Sequence, residues 1–402
     1  MADWSMIRLR DACDSVDYGL TASASPKETG TRFLRITDIV GDSLSWKDVP
    51  FVAASEEQAE KYRVSPGDIV IARTGATTGV SRWLDKIPGS VVFASYLVRL
   101  KISDRYDSRF IGYVLKGDQF WDYVRGVLGD KSAQPNASAT TLVAAPLSVP
   151  SDIVEQRRIA GVLGALDDKI SLNERISQTS LELAQSYYER EARASDGWRE
   201  WALRDTAKWH SGGTPKTSEP SYWNGDIPWI SAASLKKPWL YESARSVTPL
   251  GAQSGTRLVP RGAILFVVRG MSLTSEFRIG LAQREIAFGQ DCKALVPYSG
   301  FDSATLFLAV RARSREILDM VDLAGHGTGR LETGRVEKLT VQLPCDATDL
   351  AFTQRVRSLV DVSVAAAQEN RSFTTLRDTL LPQLMSGKLR VRDAEKIVED
   401  AV

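Results

Sequence analysis

The sequence predicts an α+β protein built from an internal repeat: two mixed α/β globular domains, each followed by one long amphipathic helix. Three observations predict it. Residues 155–188 place apolar side chains at three- and four-residue steps with no proline between them. Residues 353–384 repeat that pattern. The segments ahead of the two helices share phrases at offsets of 194 to 195 residues. The domains are expected at 1–150 and 197–346, and the helical parts at 151–196 and 347–402.

The first helix carries Ile159, Val162, Leu163, Leu166, Ile170, Ile176, Leu183 and Tyr187 on its stripe. Roughly 34 residues at 1.5 Å each make a rod about 50 Å long. Such a rod needs a partner for its apolar stripe, and the second helix supplies one. At an offset of 197, Ile159 corresponds to Val356, Leu163 to Val360, Ile176 to Phe373 and Asn173 to Asn370. The seam set is therefore Ile159, Leu163, Leu166, Ile170, Asn173 and Ile176 with Val356, Val360, Asn370 and Phe373. An asparagine within each stripe is a device that fixes register in paired helices, although a solvated position at the stripe's edge explains it equally well.

The globular halves repeat in detail. Leu9-Arg10-Asp11 returns as Leu203-Arg204-Asp205, and the turn around Pro66-Gly67-Asp68 returns around Pro260-Arg261-Gly262. In the first half, 32–39, 68–73 and 91–100 are β-rich runs bounded by Gly, Pro and Asp. Segments 110–127 and 303–323 read as helical, each followed by a Gly-containing loop and a short strand ending in proline. Loops 19–30, 73–82 and 129–141 are rich in Gly, Ser, Thr and Asn, as are 211–225, 269–278 and 324–335. Loops at matching places with differing residues suit variable reading surfaces on a common frame; solvated connections have the same composition. After the second helix, Gly387 is a candidate cap, and Leu389-Arg390-Val391-Arg392-Asp393 echoes Ile7-Arg8-Leu9-Arg10-Asp11. If the echo is structural, the chain's end lies beside its start and the repeat closes on a pseudo-twofold axis.

Composition narrows the function. At 402 residues, 43% hydrophobic and 25% charged, the chain suits two or three globular domains. There is no run of eighteen apolar residues, and Asp3 and Trp4 stand where a secretory signal would be basic and then apolar, so a cytoplasmic protein is expected. Cys13, Cys292 and Cys345 lie far apart, and only two histidines occur, which argues against disulfides, zinc sites and His-dependent triads. Gly213-Thr214-Pro215-Lys216-Thr217 lacks the spacing of a phosphate-binding loop, and Gly325-His326-Gly327-Thr328-Gly329 lacks the dinucleotide fingerprint. Asp167-Asp168-Lys169 reads as a solvated face of the rod. No metal, cofactor or catalytic group is expected in the chain itself.

Charge and loop chemistry point to nucleic acid. Residues 1–150 hold 18 basic and 18 acidic side chains, and 197–344 hold 19 and 14, whereas the helical segments are mildly acidic. Arginine can hold a guanine edge, Asn or Gln an adenine edge, and Ser or Thr hydroxyls a phosphate. The candidate contacts in the first domain are Thr21, Ser23, Arg35, Thr37, Arg73, Thr74, Thr77, Arg82, Lys131, Gln134 and Asn136. In the second they are Ser211, Thr214, Lys216, Lys236, Lys237, Arg269, Met271, Ser272, His326, Thr328 and Arg330, with Arg257, Arg261, Arg278 and Arg335 beside them. Trp223 and Trp229 read as core or as a wall behind the loops. A nucleic-acid enzyme with an unfamiliar site and a coiled-coil adaptor for proteins remain as alternatives.

Several phrases together resemble one family, the specificity subunits of Type I restriction-modification enzymes. They are Pro150 followed by Glu155-Gln156-Arg157-Arg158-Ile159-Ala160, Leu166-Asp167-Asp168-Lys169-Ile170 with Leu172-Asn173, and Leu380-Leu381-Pro382-Gln383-Leu384-Met385-Ser386-Gly387-Lys388-Leu389. Ser211-Gly212-Gly213-Thr214-Pro215 and Phe33-Leu34-Arg35-Ile36-Thr37-Asp38-Ile39 belong with them. The second helix departs, with Phe352-Thr353-Gln354-Arg355 in place of the Glu-Gln-Arg-Arg phrase. The resemblance implies two target recognition domains, each reading half of a bipartite asymmetric DNA sequence, on an antiparallel coiled coil that sets the spacer. It implies docking of two adenine-methylating subunits through Glu155, Gln156, Arg157, Arg158, Asp168, Gln354 and Arg355, and a translocating restriction subunit as a further candidate partner. S-adenosylmethionine, ATP and Mg²⁺ would belong to those partners.

Overall fold

A computed structural model describes residues 3–41, 44–129, 135–194, 197–324, 327–344 and 350–401. The chain divides into two compact units, Met1–Leu172 with Asn370–Val402, and Asn173–Glu369. The two long helices, Ile153–Ala194 and Leu350–Met385, each contribute one half to each unit. No helix among the described residues is long and apolar enough to cross a membrane.

The first unit is closed by the pair Trp4–Arg8 and Pro146–Pro150, antiparallel with Trp4 opposite Pro150. Its main sheet orders the strands Cys13–Tyr18, Leu97–Ile102, Ile69–Ala72 and Ser81–Trp83, all antiparallel. A parallel pair, Thr31–Leu34 with Ser90–Phe93, lies beside it. The run 32–39 is thus not one strand: after Leu34 it turns into a short helix, Ile36–Ile39, because the Asp38 carboxylate accepts from the Arg35 backbone N–H at 2.7 Å. The expected helix 110–127 is two helices, Ser108–Val114 and Asp118–Leu128, broken before Gly117. These helices pack on Ile159, Leu163, Leu166 and Ile170 of the first long helix and Phe373, Leu380 and Leu384 of the second. The tail forms a helix, Val391–Glu399, after Gly387, which takes φ +67° and lies against Trp4.

The second unit repeats the plan. Trp198–Ala202 pairs antiparallel with Thr340–Pro344, Trp198 opposite Pro344. Its main sheet runs Ala207–Ser211, Cys292–Pro297, Ile264–Val267, Ile279–Ala282, with Trp239–Leu240 added at the edge. The parallel pair recurs as Trp223–Ile230 with Ile286–Phe288. The helix N-caps match as well: Asp107 accepts from the Phe110 N–H and Asp302 from the Thr305 N–H, both at 2.8 Å. The expected helix 303–323 differs, since it divides into Ser303–Ala312 and Ser314–Asp319 and then becomes a strand, Val321–Ala324, paired with Thr328–Leu331. A strand therefore stands in the second unit where the first unit continues its helix to Leu128.

Within each unit the long helices run antiparallel. In the first, Arg377 Nη1 donates to Asp167 and Asn370 Nδ2 to the Ile170 carbonyl. In the second, Asn173 Nδ2 donates to Glu369, and Ser177 and Ser363 exchange hydroxyl–carbonyl bonds. Each asparagine therefore bonds to a group other than its repeat counterpart. Ile176 is exposed and leaves the seam to Ser177, and the buried stripe continues through Leu181, Ala184 and Tyr188. Asp167 is no solvated face either; it is only a quarter exposed and also accepts from the Tyr113 hydroxyl at 2.7 Å.

Candidate nucleic-acid interface

In both units the three polar loops meet at one end of the main sheet, and the same backbone bonds bring them there. In the first, the Leu20 N–H donates to the Phe93 carbonyl at 2.8 Å, the Arg73 N–H to Tyr96 at 3.0 Å, and the Ala137 N–H to Arg73 at 2.9 Å. In the second, the Gly213 N–H donates to Phe288 at 2.9 Å, Val268 to Asp291 at 2.8 Å, and Leu331 to Val268 at 2.9 Å. The close approach of the first loop requires glycine. A Cβ on Gly19 would stand 2.3 Å from the Ala94 and Phe93 carbonyl oxygens, and one on Gly212 2.3 Å from that of Gly289.

The first unit's loop end carries Thr21 and Ser23, both exposed, then Thr74, Thr77 and the exposed Asn136. Thr74 and Asn136 are bridge partners. The Arg73 guanidinium lies 5.0 Å over the Tyr18 ring and 3.4 Å from Asn136 Oδ1. Thr37 is exposed on the short helix. Two expected contacts are committed elsewhere. Arg35 gives Nε and Nη2 to Asp38 at 3.0 and 2.8 Å, and Arg82 donates to the Ile39 carbonyl at 3.0 Å and to that of Gly41. Each is a strut for the 35–41 turn, because a guanidinium aimed at fixed acceptors inside the fold has few donors left for a ligand. Lys131 and Gln134 lie outside the described residues.

In the second unit Ser211, Lys216, Lys236 and Lys237 are exposed, and Thr214 is half-buried, bonded to Gln290. Arg269 and Arg330 face each other across an antiparallel pair, with Ser272 and Thr328 close by in the chain. Met271 and Leu323 are 77% and 71% exposed, the largest values among the large hydrophobic side chains of the described residues. Arg278 repeats the role of Arg82, reaching the Ala232 carbonyl at 3.4 Å. Arg335 is paired with Asp322 and Glu332. His326 lies outside the described residues. Trp223 and Trp229 are buried behind the first loop, their indole N–H groups held by Lys216 and Gly213 carbonyls.

Sequence reasoning missed Tyr18 and Tyr96, exposed at the first unit's loop end, and the pairing of Lys293 with Ser211 at 2.5 Å in the second. It missed His210, which lies 3.5 Å from Arg257; partial burial and the charges of Arg257 and Lys208 hold its pKa below the ordinary histidine value. A lone tyrosine or histidine at a strand end carries no spacing signal that could have found it.

The model of the Type I restriction modification DNA specificity domain matches residues 1–181 and 195–355. The chain belongs to that family. As a Type I specificity subunit, its role is DNA recognition within a restriction-modification system. It is 19% identical over 470 residues to the Type I restriction enzyme HindI specificity subunit of Haemophilus influenzae, covering 97% of this chain and all of that one. It is 24% identical over 308 residues to the MjaIX specificity subunit of Methanocaldococcus jannaschii, covering 71% and 70% of the two chains. The crystal structure of a Type I S subunit from M. genitalium shares its fold, with a TM-score of 0.60 at 16% identity over 95% of this chain and 96% of that one.

The docking residues expected on the specificity subunit's helices fall into two groups. Arg157 and Arg158 are exposed, as are Gln354 and Arg355; Arg355 also donates to the Tyr187 hydroxyl at 3.2 Å. Glu155 stands 4.0 Å from Arg158, and Asp168 is bound by Arg109 at 2.9 Å. Gln156 is the correction. It is 1% exposed, accepts from the Asp107 N–H at 2.9 Å and donates to the Pro150 carbonyl at 2.8 Å. A side chain satisfied at both ends inside the fold has nothing to offer a partner.

Proposed function

We propose that the chain reads a bipartite, asymmetric DNA sequence, one half-site per globular domain, and has no catalytic group of its own. The observation that supports this best is the recurrence of one loop-bearing frame with unlike side chains at its loop end. Two unlike half-sites approached in the same way demand that arrangement, because a frame sets position while side chains select bases. The long helices, 42 and 36 residues, act as a ruler for the unread spacer. At 1.5 Å per residue they are about 63 and 54 Å long, well over the roughly 34 Å repeat of the duplex. Their outward residues Arg157, Arg158, Gln354 and Arg355 dock two adenine-methylating subunits. Those partners, with a translocating restriction subunit as a further one, use S-adenosylmethionine, ATP and Mg²⁺ and extrude the target adenine in the cytoplasm. The domain limits in this reading stay at 1–150 and 197–346.

The test is selection of bound duplexes from a random library by the purified chain. Two unlike short half-sites at a fixed gap are expected; one continuous site, or no enrichment, overturns the reading. Four residues inserted into each long helix should lengthen the gap and leave both half-sites intact. An unchanged gap rejects the ruler.

A further inference from the structure

We infer that one cross-strand pair in each unit is a base-reading position, Thr74 with Asn136 in the first and Arg269 with Arg330 in the second, and that the arginine pair selects guanine. This rests on the proposed two-half-site reading. The two pairs occupy the same place. Thr74 follows Arg73, whose carbonyl accepts from the Ala137 N–H, next to Asn136; Arg269 follows Val268, whose carbonyl accepts from the Leu331 N–H, next to Arg330.

Residues opposite each other in an antiparallel pair point to the same face with Cα atoms about 5 Å apart, and like charges so placed repel. Arg269 and Arg330 are nonetheless both exposed, and neither makes an ion pair or side-chain hydrogen bond among the described residues. Asp322, opposite Arg330 on the other side, turns its carboxylate to Arg335 at 3.5 Å. Two guanidinium groups with no side-chain partner among the described residues share one face, an arrangement suited to an electron-rich ligand.

Phosphate and the guanine edge are both such ligands, and the repeat separates them. A phosphate is the same in every sequence, so a phosphate grip should carry charge at this place in both units. The cross-strand pair itself carries two positive charges in one unit and none in the other, where the neighbouring charge, on Arg73, lies over Tyr18 and beside Asn136. Base edges differ between half-sites, as these pairs do. Arginine takes the O6 and N7 of guanine with two bonds, and Asn136 suits the N6 and N7 of adenine. Exposed Met271, two residues after Arg269, supplies an apolar contact suited to a groove floor.

The experiment repeats the random-duplex selection with Arg269→Ala, Arg330→Ala, Arg330→Lys and Thr74→Arg/Asn136→Arg. Arg335→Ala, which removes an already paired arginine, serves as the control. The wild type should prefer guanine at one or two positions of the second half-site. Both alanine variants and Arg330→Lys should lose that preference by about 10- to 100-fold with the first half-site intact. The double arginine variant should gain guanine in the first half-site. Arg269 and Arg330, exposed and without side-chain partners among the described residues, should leave melting unchanged when replaced. Uniformly weaker binding with an unchanged motif, and a salt slope reduced by about one, makes the arginines phosphate contacts and overturns the inference alone. A wild-type selection without a second half-site overturns the parent reading as well.

Discussion

Arg377 of the second long helix donates to Asp167 of the first at 2.8 Å, while the same carboxylate accepts from Tyr113 in the globular part at 2.7 Å. Three chain segments of the first unit are therefore tied at one oxygen pair. Burial by itself would raise the Asp167 pKa, but Lys116, Arg377 and Tyr113 together hold it below the usual carboxylate value. Replacing Asp167 by Asn should destabilise the chain by about 2 kcal/mol. That is below the roughly 3–5 kcal/mol of a fully buried pair, because Arg377 keeps its second partner, Asp378. The pH dependence follows from the sign of the shift. A depressed carboxylate contributes fully above its unfolded value near 3.9 and loses the contribution as pH falls through the folded value. Melting curves of wild type and Asp167→Asn should stay a constant interval apart from neutral pH to about pH 5 and converge below about pH 4. An interval unchanged down to pH 2 would remove Asp167 as the cause.

Arg82, in the strand Ser81–Trp83, and Arg278, just ahead of the strand Ile279–Ala282, form a repeated device, each reaching a carbonyl in the segment after the parallel strand. Arg82→Ala should free the Ile39 and Gly41 carbonyls, at about 1–3 kcal/mol for the acceptors left unpaired. Amides in 36–41 should then exchange faster while strand Ile69–Ala72 keeps its protection. Faster exchange across the whole first unit would mean a general loss of stability instead of a local strut.

Arg82, set beside Arg73, also marks where sequence reading stops. The repeat, both long helices and the loop positions were legible because each rests on periodicity or on recurrent turn residues. Arg82 and Arg73 are alike in composition and neighbourhood, yet one reaches backbone carbonyls and the other lies over Tyr18 beside Asn136. Only tertiary geometry separates them. The stripe of the first long helix was read through Ile176 and Leu183 because hydrophobicity outranks serine in any pattern. Hydrogen bonding with Ser363 puts Ser177 in the seam, and the Ser363 hydroxyl also accepts from the Trp239 indole N–H at 3.1 Å. A small residue chosen for helix proximity is invisible to a hydrophobic template.

Gln156 and Arg157 are neighbours with opposite fates. Gln156→Ala should cost about 1–3 kcal/mol, since it strands the Asp107 N–H and the Pro150 carbonyl. Arg157→Ala should leave the melting temperature unchanged and weaken only the binding of partner subunits. A stability loss at Arg157, or none at Gln156, measured by thermal melting, would reverse the assignment.

Gly19 and Gly212 provide a test of the repeat itself. Neither takes a left-handed backbone conformation, so alanine carries no φ penalty at either place, and any cost comes from the approach of another strand's carbonyls. At 2.3 Å from backbone oxygens a Cβ cannot be accommodated by turning a side chain; the first loop must move off the sheet end. Overpacking of this kind costs about 1–3 kcal/mol. Gly19→Ala should therefore lower stability and relax selection at the first half-site alone, and Gly212→Ala should do the same at the second. Gly126, an exposed helical position where an added Cβ meets nothing within 4 Å, is the control: alanine there should not lower stability, since it favours the helix, and should leave half-site choice unaltered. If Gly19→Ala and Gly212→Ala melt like the wild type and select its motif, the loops do not depend on those contacts, and the frame that holds the two reading surfaces lies elsewhere.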